Sequence, residues 1–211
     1  HWIVKHTSGI CGTGKMMKLW KQQSSSKCPR CEAPVEDAAH VWRCPQREAK
    51  AVWEQSIDGL RVWMKKQLTH PAIRRIICER LLAWHSGNPS QPQPEAFPFL
   101  RSAAQMQDAL GWQSFLEGGL AIDWQFAQET YFKSLRSKKS GRRWVSALIR
   151  KLWTVAWDQW EHRNSILHDH DSTKHHKLIT QDTDRLISRQ FAMGVQGLPS
   201  NTHYLFQEPM K

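Results

Sequence analysis

Long apolar runs are missing from this 211-residue chain. No stretch approaches the ~20 apolar residues that a membrane span requires, and the first residues do not form a secretory signal. We therefore expect no membrane partner. No convincing β-strand and no internal repeat is present either, which favours a helical protein. Only two tyrosines are present against twelve tryptophans, so most aromatic anchors are large and rigid.

Acidic residues are also scarce relative to basic ones. The chain has 19 Asp and Glu residues against 30 Lys and Arg residues, a formal net charge of +11. Such an excess favours acidic partners, above all RNA or DNA, although it says nothing about the fold.

A short segment near the N-terminus contains four potential metal ligands. Cys28 and Cys31 are followed by His40 and Cys44 in the spacing C-x2-C-x8-H-x3-C. Three thiolates and one imidazole form a donor set that tetrahedral Zn²⁺ takes, and the C-x2-C turn lets two sulfurs reach one ion. The sequence therefore predicts a structural Zn²⁺ site. A closed four-ligand site leaves no position for water or substrate, which argues against metal catalysis.

The remaining cysteines are too few for a disulfide framework. Once the zinc set is removed, Cys11 and Cys78 are left as free thiols, which fits a reducing compartment. We therefore expect an intracellular protein, in the nucleus or the cytoplasm. Because the chain begins at His1 rather than methionine, we also expect it to be a piece of a longer protein.

Apolar periodicity predicts an all-α protein, a multi-helix array with a small zinc-knuckle-like CCHC loop near the N-terminus. The clearest helix is predicted over 144–168, with an apolar stripe of Leu148, Leu152, Val155, Ala156, Trp160 and Leu167. Residues 46–68 predict one helix, or two if Gly59 interrupts it.

A proline-rich stretch, residues 86–98, is the best candidate for a domain boundary. It would separate a zinc-loop helical region, 1–85, from a tryptophan-rich helical region, 99–211. The alternative is a long surface loop inside a single domain.

One glycine-rich segment is similar to a phosphate-binding loop. Gly9, Gly14 and Lys15 form G-x4-G-K, but Met16 stands where a hydroxyl should hold Mg²⁺. No convincing strand precedes the segment. We interpret it as the start of a helix rather than a nucleotide site.

Basic side chains surround the predicted zinc loop, which we define as residues 28–44. Lys27, Arg30 and Arg43 can bind phosphate, with Trp42 as a stacking surface, or they can only stabilise the thiolates. Acidic residues share the loop and would repel phosphate, so a contact face should exclude Glu32, Glu36 and Asp37.

The densest basic segment precedes the longest predicted helix. We expect its side chains to bind a nucleic-acid backbone, although charge runs are often only solvated; they are Arg136, Lys138, Lys139, Arg142 and Arg143. The tryptophans at 153, 157 and 160 have helical spacing and are interpreted as core rather than as a base-stacking platform.

Two segments resemble one known family. Residues 28–53, CPRCEAPVEDAAHVWRCPQREAKAVW, resemble the zinc-binding segment on the C-terminal side of reverse transcriptases from non-LTR retrotransposons. Residues 157–164, WDQWEHRN, are similar to a W-x-x-W-x-x-R-N stretch found downstream in such elements. The matched positions of the first segment are Cys28, Pro29, Cys31, Glu36, His40, Val41, Cys44, Pro45, Val52 and Trp53.

The resemblance implies a helical, zinc-bearing appendage that helps to grip template RNA or target DNA. It carries over the ligands alone, and the family often has four residues rather than three between the histidine and the last cysteine. The polymerase Tyr-x-Asp-Asp motif and any RNase H or endonuclease signature are absent, so we expect no enzyme. The alternative is a helical protein-interaction module, whose tryptophan-rich faces would bind a reverse transcriptase body or another protein. In that case the zinc would only stabilise the fold.

Overall fold

The computed structural model describes residues 2–88, 98–169, 185–196 and His203. Every regular element within these ranges is a helix, which confirms the all-α prediction. The helices are α1 (Trp2–Thr7), α2 (Gly14–Leu19), α3 (Ala38–Arg43), α4 (Arg47–Lys66), α5 (Pro71–Ser86), α6 (Pro98–Leu110), α7 (Trp112–Glu117), α8 (Asp123–Ser134), α9 (Gly141–Asp169) and α10 (residues 185–193).

The chain divides into two compact units, residues 1–165 and residues 166–211. The first unit contains α1 to α8 and most of α9. In the second unit, the described residues are the end of α9, α10 with its following turn, and His203. Within these described ranges, no helix is both long enough and apolar enough to cross a bilayer.

One hydrophobic core holds the first unit together. It contains side chains from both sides of the proline-rich stretch, including Trp53 of α4 and Trp124 of α8, each almost fully buried. Complete burial of such a side chain contributes on the order of 1.5–3 kcal/mol. The proposed boundary at 86–98 falls mainly on residues 89–97, which lie outside the described residues.

The helices follow the apolar spacing of the sequence. Helix α4 is continuous through Gly59, which lies on its exposed side, and its buried stripe is Ala49, Trp53, Ile57, Leu60 and Met64. On α9 the predicted stripe is buried at Leu148, Leu152, Val155 and Ala156. Regular spacing of three and four residues aligns these side chains on one helix face.

Helix α9 connects two distant places in the first unit. Its N-terminal end begins at Gly141, where an added Cβ would collide with the Gln125 carbonyl oxygen of α8. Near its other end, Gln159 and Arg163 are buried against the zinc loop. With 1.5 Å of rise per residue, Trp144 and Arg163 are ~28 Å apart along the helix.

Candidate metal centre

The four predicted ligands converge in the structure. The ligand atoms of Cys28, Cys31, His40 and Cys44 all lie within 4.8 Å of one another. Cys28 Sγ is 3.9 Å from Cys44 Sγ, and Cys31 Sγ is 3.2 Å from His40 Nε2. A tetrahedral site with 2.3 Å zinc–sulfur bonds separates neighbouring sulfurs by roughly 3.8 Å. The cluster therefore can hold a metal ion, and its donor set fits Zn²⁺.

Local backbone hydrogen bonds shape the first half of the loop. Cys28 N donates to Ala33 O at 2.9 Å, and Glu32 N donates to Cys28 O at 2.9 Å. Glu32 takes a left-handed conformation with φ of 60°. The resulting turn brings Cys28 and Cys31 to the same side.

A short helix supplies the other two ligands. Asp37 caps α3, since its carboxylate accepts a hydrogen bond from His40 N at 2.8 Å. This cap places His40 in the first turn, and Cys44 follows the last residue of α3. One short helix therefore spans the gap between His40 and Cys44.

The two buried ligand cysteines, Cys28 and Cys44, shift each other's pKa in opposite directions. A hydrogen bond from Cys44 lowers the pKa of Cys28, because it stabilises the Cys28 thiolate. The same contact and burial raise the pKa of Cys44, while the positive charge of Arg30 opposes that rise. Burial raises the pKa of the Cys11 and Cys78 thiols to about 11, so both thiols are mainly protonated at neutral pH.

Arg30 is directed into the protein rather than toward solvent. It is 8% exposed, and its Nη1 donates to Gln159 Oε1 at 3.0 Å while Nη2 donates to the Val41 carbonyl oxygen. Gln159 in turn donates to Ala49 O at 2.9 Å. These bonds hold both terminal nitrogens of the guanidinium inside the protein, so burial contradicts the expected phosphate contact of Arg30. Its positive charge lowers the pKa of Cys44 instead.

Glu36 is the second anchor of the zinc loop. Its carboxylate is completely buried and pairs with Arg163, whose Nη2 lies 2.7 Å from Oε2 and whose Nε lies 3.1 Å from Oε1. Arg163 is 3% exposed and also lies over the ring of Trp160. A buried, bidentate pair of this kind fixes the loop against α9.

The glycine-rich segment that leads into the start of α2 binds this same residue, Glu36. Gly14 N donates to Glu36 Oε2 at 2.8 Å, and Lys15 N donates to Glu36 O at 2.9 Å. A Cβ on Gly14 would lie 2.6 Å from Ser26 O, so this position requires glycine. The segment therefore holds an internal carboxylate, and Thr13 starts α2 as its N-cap.

The other predicted zinc-loop contacts divide between surface and core. Lys27 and Arg43 are exposed, and Arg43 lies over the Trp84 ring at 5.5 Å. Trp42 is 2% exposed and contacts the ring of His6, so it is a core residue rather than a stacking surface. Apolar neighbours on α1 and α5 account for this burial.

The second predicted patch lies away from the metal ligands. Its five basic residues, Arg136, Lys138, Lys139, Arg142 and Arg143, are all exposed. Lys139 Nζ donates to Gln67 O at 3.3 Å, which attaches the patch to the end of α4. The structure thus separates the two groups of candidate phosphate contacts.

Sequence reasoning did not identify the contacts that join Glu36 to Arg163 or Arg30 to Gln159. The two residues of each pair are more than 125 positions apart in the sequence. The sequence around either residue does not indicate its partner. The one available signal was the W-x-x-W-x-x-R-N stretch, which contains Gln159 and Arg163.

Comparison with known proteins gave no match: no family model, no curated protein and no solved structure is similar to this chain. The resemblance to retrotransposon reverse transcriptases therefore stays a prediction.

Proposed function

We propose that this chain is a non-catalytic nucleic-acid-binding module in which one structural Zn²⁺ fixes the N-terminal loop. The observation that carries the proposal is the exposed basic segment at 136–143. It lies within residues 130–157, a stretch with eight Lys and Arg residues and no Asp or Glu. A positive surface of this kind binds phosphate backbones.

The zinc contributes to structure in this proposal. Cys28, Cys31, His40 and Cys44 would hold it, and the four ligands complete its coordination. Zn²⁺ supplies cross-linking there, while Glu36 and Arg30 attach the cross-linked loop to α9.

A retrotransposon origin is part of the proposal. The two segments that resemble the family, 28–53 and 157–164, pack against each other through Glu36 with Arg163 and through Arg30 with Gln159. Because the two segments contact each other directly, they form one structural unit, which supports a common origin.

The use of carboxylates supports a non-catalytic function. Asp158 accepts a hydrogen bond from Ser56 at 2.7 Å, Asp108 accepts one from Trp112 Nε1 at 2.8 Å, and Glu129 accepts one from Gly141 N at 2.5 Å. Each of these three carboxylates has a structural partner.

For the alternative function, a protein-interaction module, the exposed apolar surface differs from the tryptophan-rich faces expected from the sequence. Of the twelve tryptophans, only Trp20 and Trp157 are exposed, at 41% and 38%. A protein partner would instead find apolar side chains on and beside the packed helices α6 and α8, namely Met106, Leu110, Ile122 and Phe126, each at least half exposed.

The test is an anisotropy titration of labelled RNA and DNA hairpins at several salt concentrations, with zinc-loaded and chelated protein. We expect log affinity to fall steeply with log salt concentration. We also expect binding to survive chelation as long as circular dichroism shows the helices intact, because the basic segment is remote from the zinc loop. Absence of salt-dependent binding would contradict the proposal and leave the α6–α8 surface as the place to seek a partner.

A further inference from the structure

A second basic surface, not expected from any motif, lies beside the 136–143 segment. Helices α4 and α5 form a cleft of about 460 Å³ whose lining includes Arg61, Lys65, Arg74 and Arg75. Residues 59–78, which form most of this cleft, contain five Lys and Arg residues and no Asp or Glu. The cleft is therefore electropositive.

The carboxylates around this cleft are already engaged. Asp58 pairs with Arg61, and Glu79 lies 3.4 Å from Arg75. The two carboxylates offset two of the four cations that line the cleft, so a net positive charge remains. Arg74 and Lys65 add charge that these two acids do not balance.

A separate cleft of about 470 Å³ lies over the start of α9, and its lining includes Lys138, Lys139 and Arg143. Glu129 is the nearby carboxylate, and it accepts the backbone hydrogen bond of Gly141. This cleft is positive as well.

The α4–α5 turn joins the two clefts. Lys65 lines the first cleft and Gln67 lines the second. Lys139 donates to Gln67, and Trp144 Nε1 donates to Thr69 Oγ1 at 2.8 Å. Two acid-free stretches that are remote in sequence thus meet at one turn. We name the seven cations of the two clefts the basic saddle.

The aromatic side chains in the saddle are not available for stacking. Phe132 is 1% exposed and Trp144 is 4% exposed, although both line the second cleft. Binding of single strands depends strongly on stacking of bases on exposed rings. Binding of a duplex needs only cations that reach its backbone phosphates.

We propose that the basic saddle binds double-stranded nucleic acid across the α4–α5 turn, with backbone phosphates held by cations of both clefts and without base-specific contacts. This inference rests on the proposed function and assigns its ligand and its site. The cations of the α4–α5 cleft become part of the binding surface.

The test measures salt dependence of binding to a labelled duplex, RNA and DNA in parallel, for the full chain and its variants. The α4–α5 variant Lys65→Gln with Arg74→Gln should reduce the slope of log affinity against log salt by roughly 2, since each lost phosphate contact changes it by about 0.9. Lys65→Gln with Arg74→Lys keeps the Arg74 charge and should recover about half of that reduction. Lys5→Gln with Lys18→Gln, two exposed cations on α1 and α2, is the matched control and should leave the slope unchanged.

The outcomes separate the two proposals. Salt-dependent binding by the wild type with an unchanged slope in the α4–α5 variant would overturn the saddle and leave the proposed function intact. Tighter binding to a single strand than to the duplex would overturn the assignment of the ligand. No binding by the wild type would overturn the proposed function itself.

Discussion

At one end of α9 the arginines are buried and paired, and at the other end they are exposed. Arg163 bonds to Glu36 and Arg30 bonds to Gln159 at the zinc-loop end. Arg142 and Arg143 at the N-terminal end lie in solvent without an acidic residue nearby in sequence. An arginine therefore stabilises the structure where its partner is buried with it. Where arginines are exposed, they create a positive surface.

The local balance of charge explains this difference. Residues 27–50 around the zinc loop contain five Lys and Arg residues and four Asp and Glu residues. Three thiolates with Zn²⁺ add a net charge near −1. The acid-free stretches 59–78 and 130–157 together contain thirteen Lys and Arg residues. We therefore expect a polyanion to be attracted more strongly to the saddle than to the zinc loop.

Loss of the metal should have the largest effect on the zinc-loop end. We expect Cys44→Ser to abolish stoichiometric zinc binding and to lower the melting temperature more than any other single change, because structural zinc contributes on the order of 10 kcal/mol in small zinc-dependent folds. Metal analysis and thermal denaturation measure this. Cys78→Ala is the control and should retain one zinc per chain; equal zinc content in both variants would contradict the assigned ligands.

The next largest effect should come from the buried ion pair. Glu36→Gln leaves Arg163 buried and unpaired, which should lower the free energy of unfolding by about 3–5 kcal/mol in urea denaturation. Asp58→Asn breaks the exposed Asp58–Arg61 pair on α4 and should cost less than about 1 kcal/mol. Similar costs for the two variants would show that burial does not distinguish the two ion pairs.

Neutralising the exposed cations should affect binding rather than stability. Replacing Lys138, Lys139, Arg142 and Arg143 together by Gln should reduce the salt slope of nucleic-acid binding by roughly 3–4. The melting temperature should change little. The comparison is Lys27→Gln with Arg43→Gln beside the zinc loop, which should leave the salt slope nearly unchanged. A larger reduction of the slope in this variant than in the 138–143 variant would place the nucleic acid on the zinc loop.

The smallest expected effect is a pH dependence at the saddle. His70 caps α5 through Nδ1, which accepts from Ala72 N at 3.1 Å, and burial together with Arg74 lowers its pKa. A lowered pKa means that the folded state favours neutral His70, so this stability is complete above the ordinary pKa of about 6.5 and is lost as pH falls below it.

His70→Asn isolates this contribution, because Asn can cap a helix but does not titrate. Between about pH 7.5 and 5.5 the wild type should lose more unfolding free energy than His70→Asn, by less than about 1 kcal/mol after solvent screening. Urea denaturation at both pH values measures the difference. Parallel losses in the two proteins would exclude His70 as the source.

Local patterns predicted much of this structure. The stripes of α4, α5 and α9 follow from apolar spacing, and the four metal ligands follow from the chemistry of C-x2-C with a downstream His and Cys. Each of these features is determined by residues within a few helical turns or within one loop, which is the range over which spacing is informative.

Features that depend on distant contacts were not predictable in the same way. Arg30 and Trp42 belong to a basic and aromatic segment, yet packing against α9, α1 and α5 buries both. The α4–α5 cleft carries no motif either. Its one sequence signal is the lack of acidic residues over 59–78, and only the fold brings that stretch against 130–157.

Lysine acetylation of the protein with and without a bound duplex, followed by mass spectrometry, tests the division between the two ends most directly. We expect the duplex to protect Lys65, Lys138 and Lys139 of the saddle, while the exposed Lys27 and Lys50 near the zinc ligands keep their reactivity. Protection of Lys27 and Lys50 with unchanged reactivity at the saddle would contradict it and place the nucleic acid on the zinc loop.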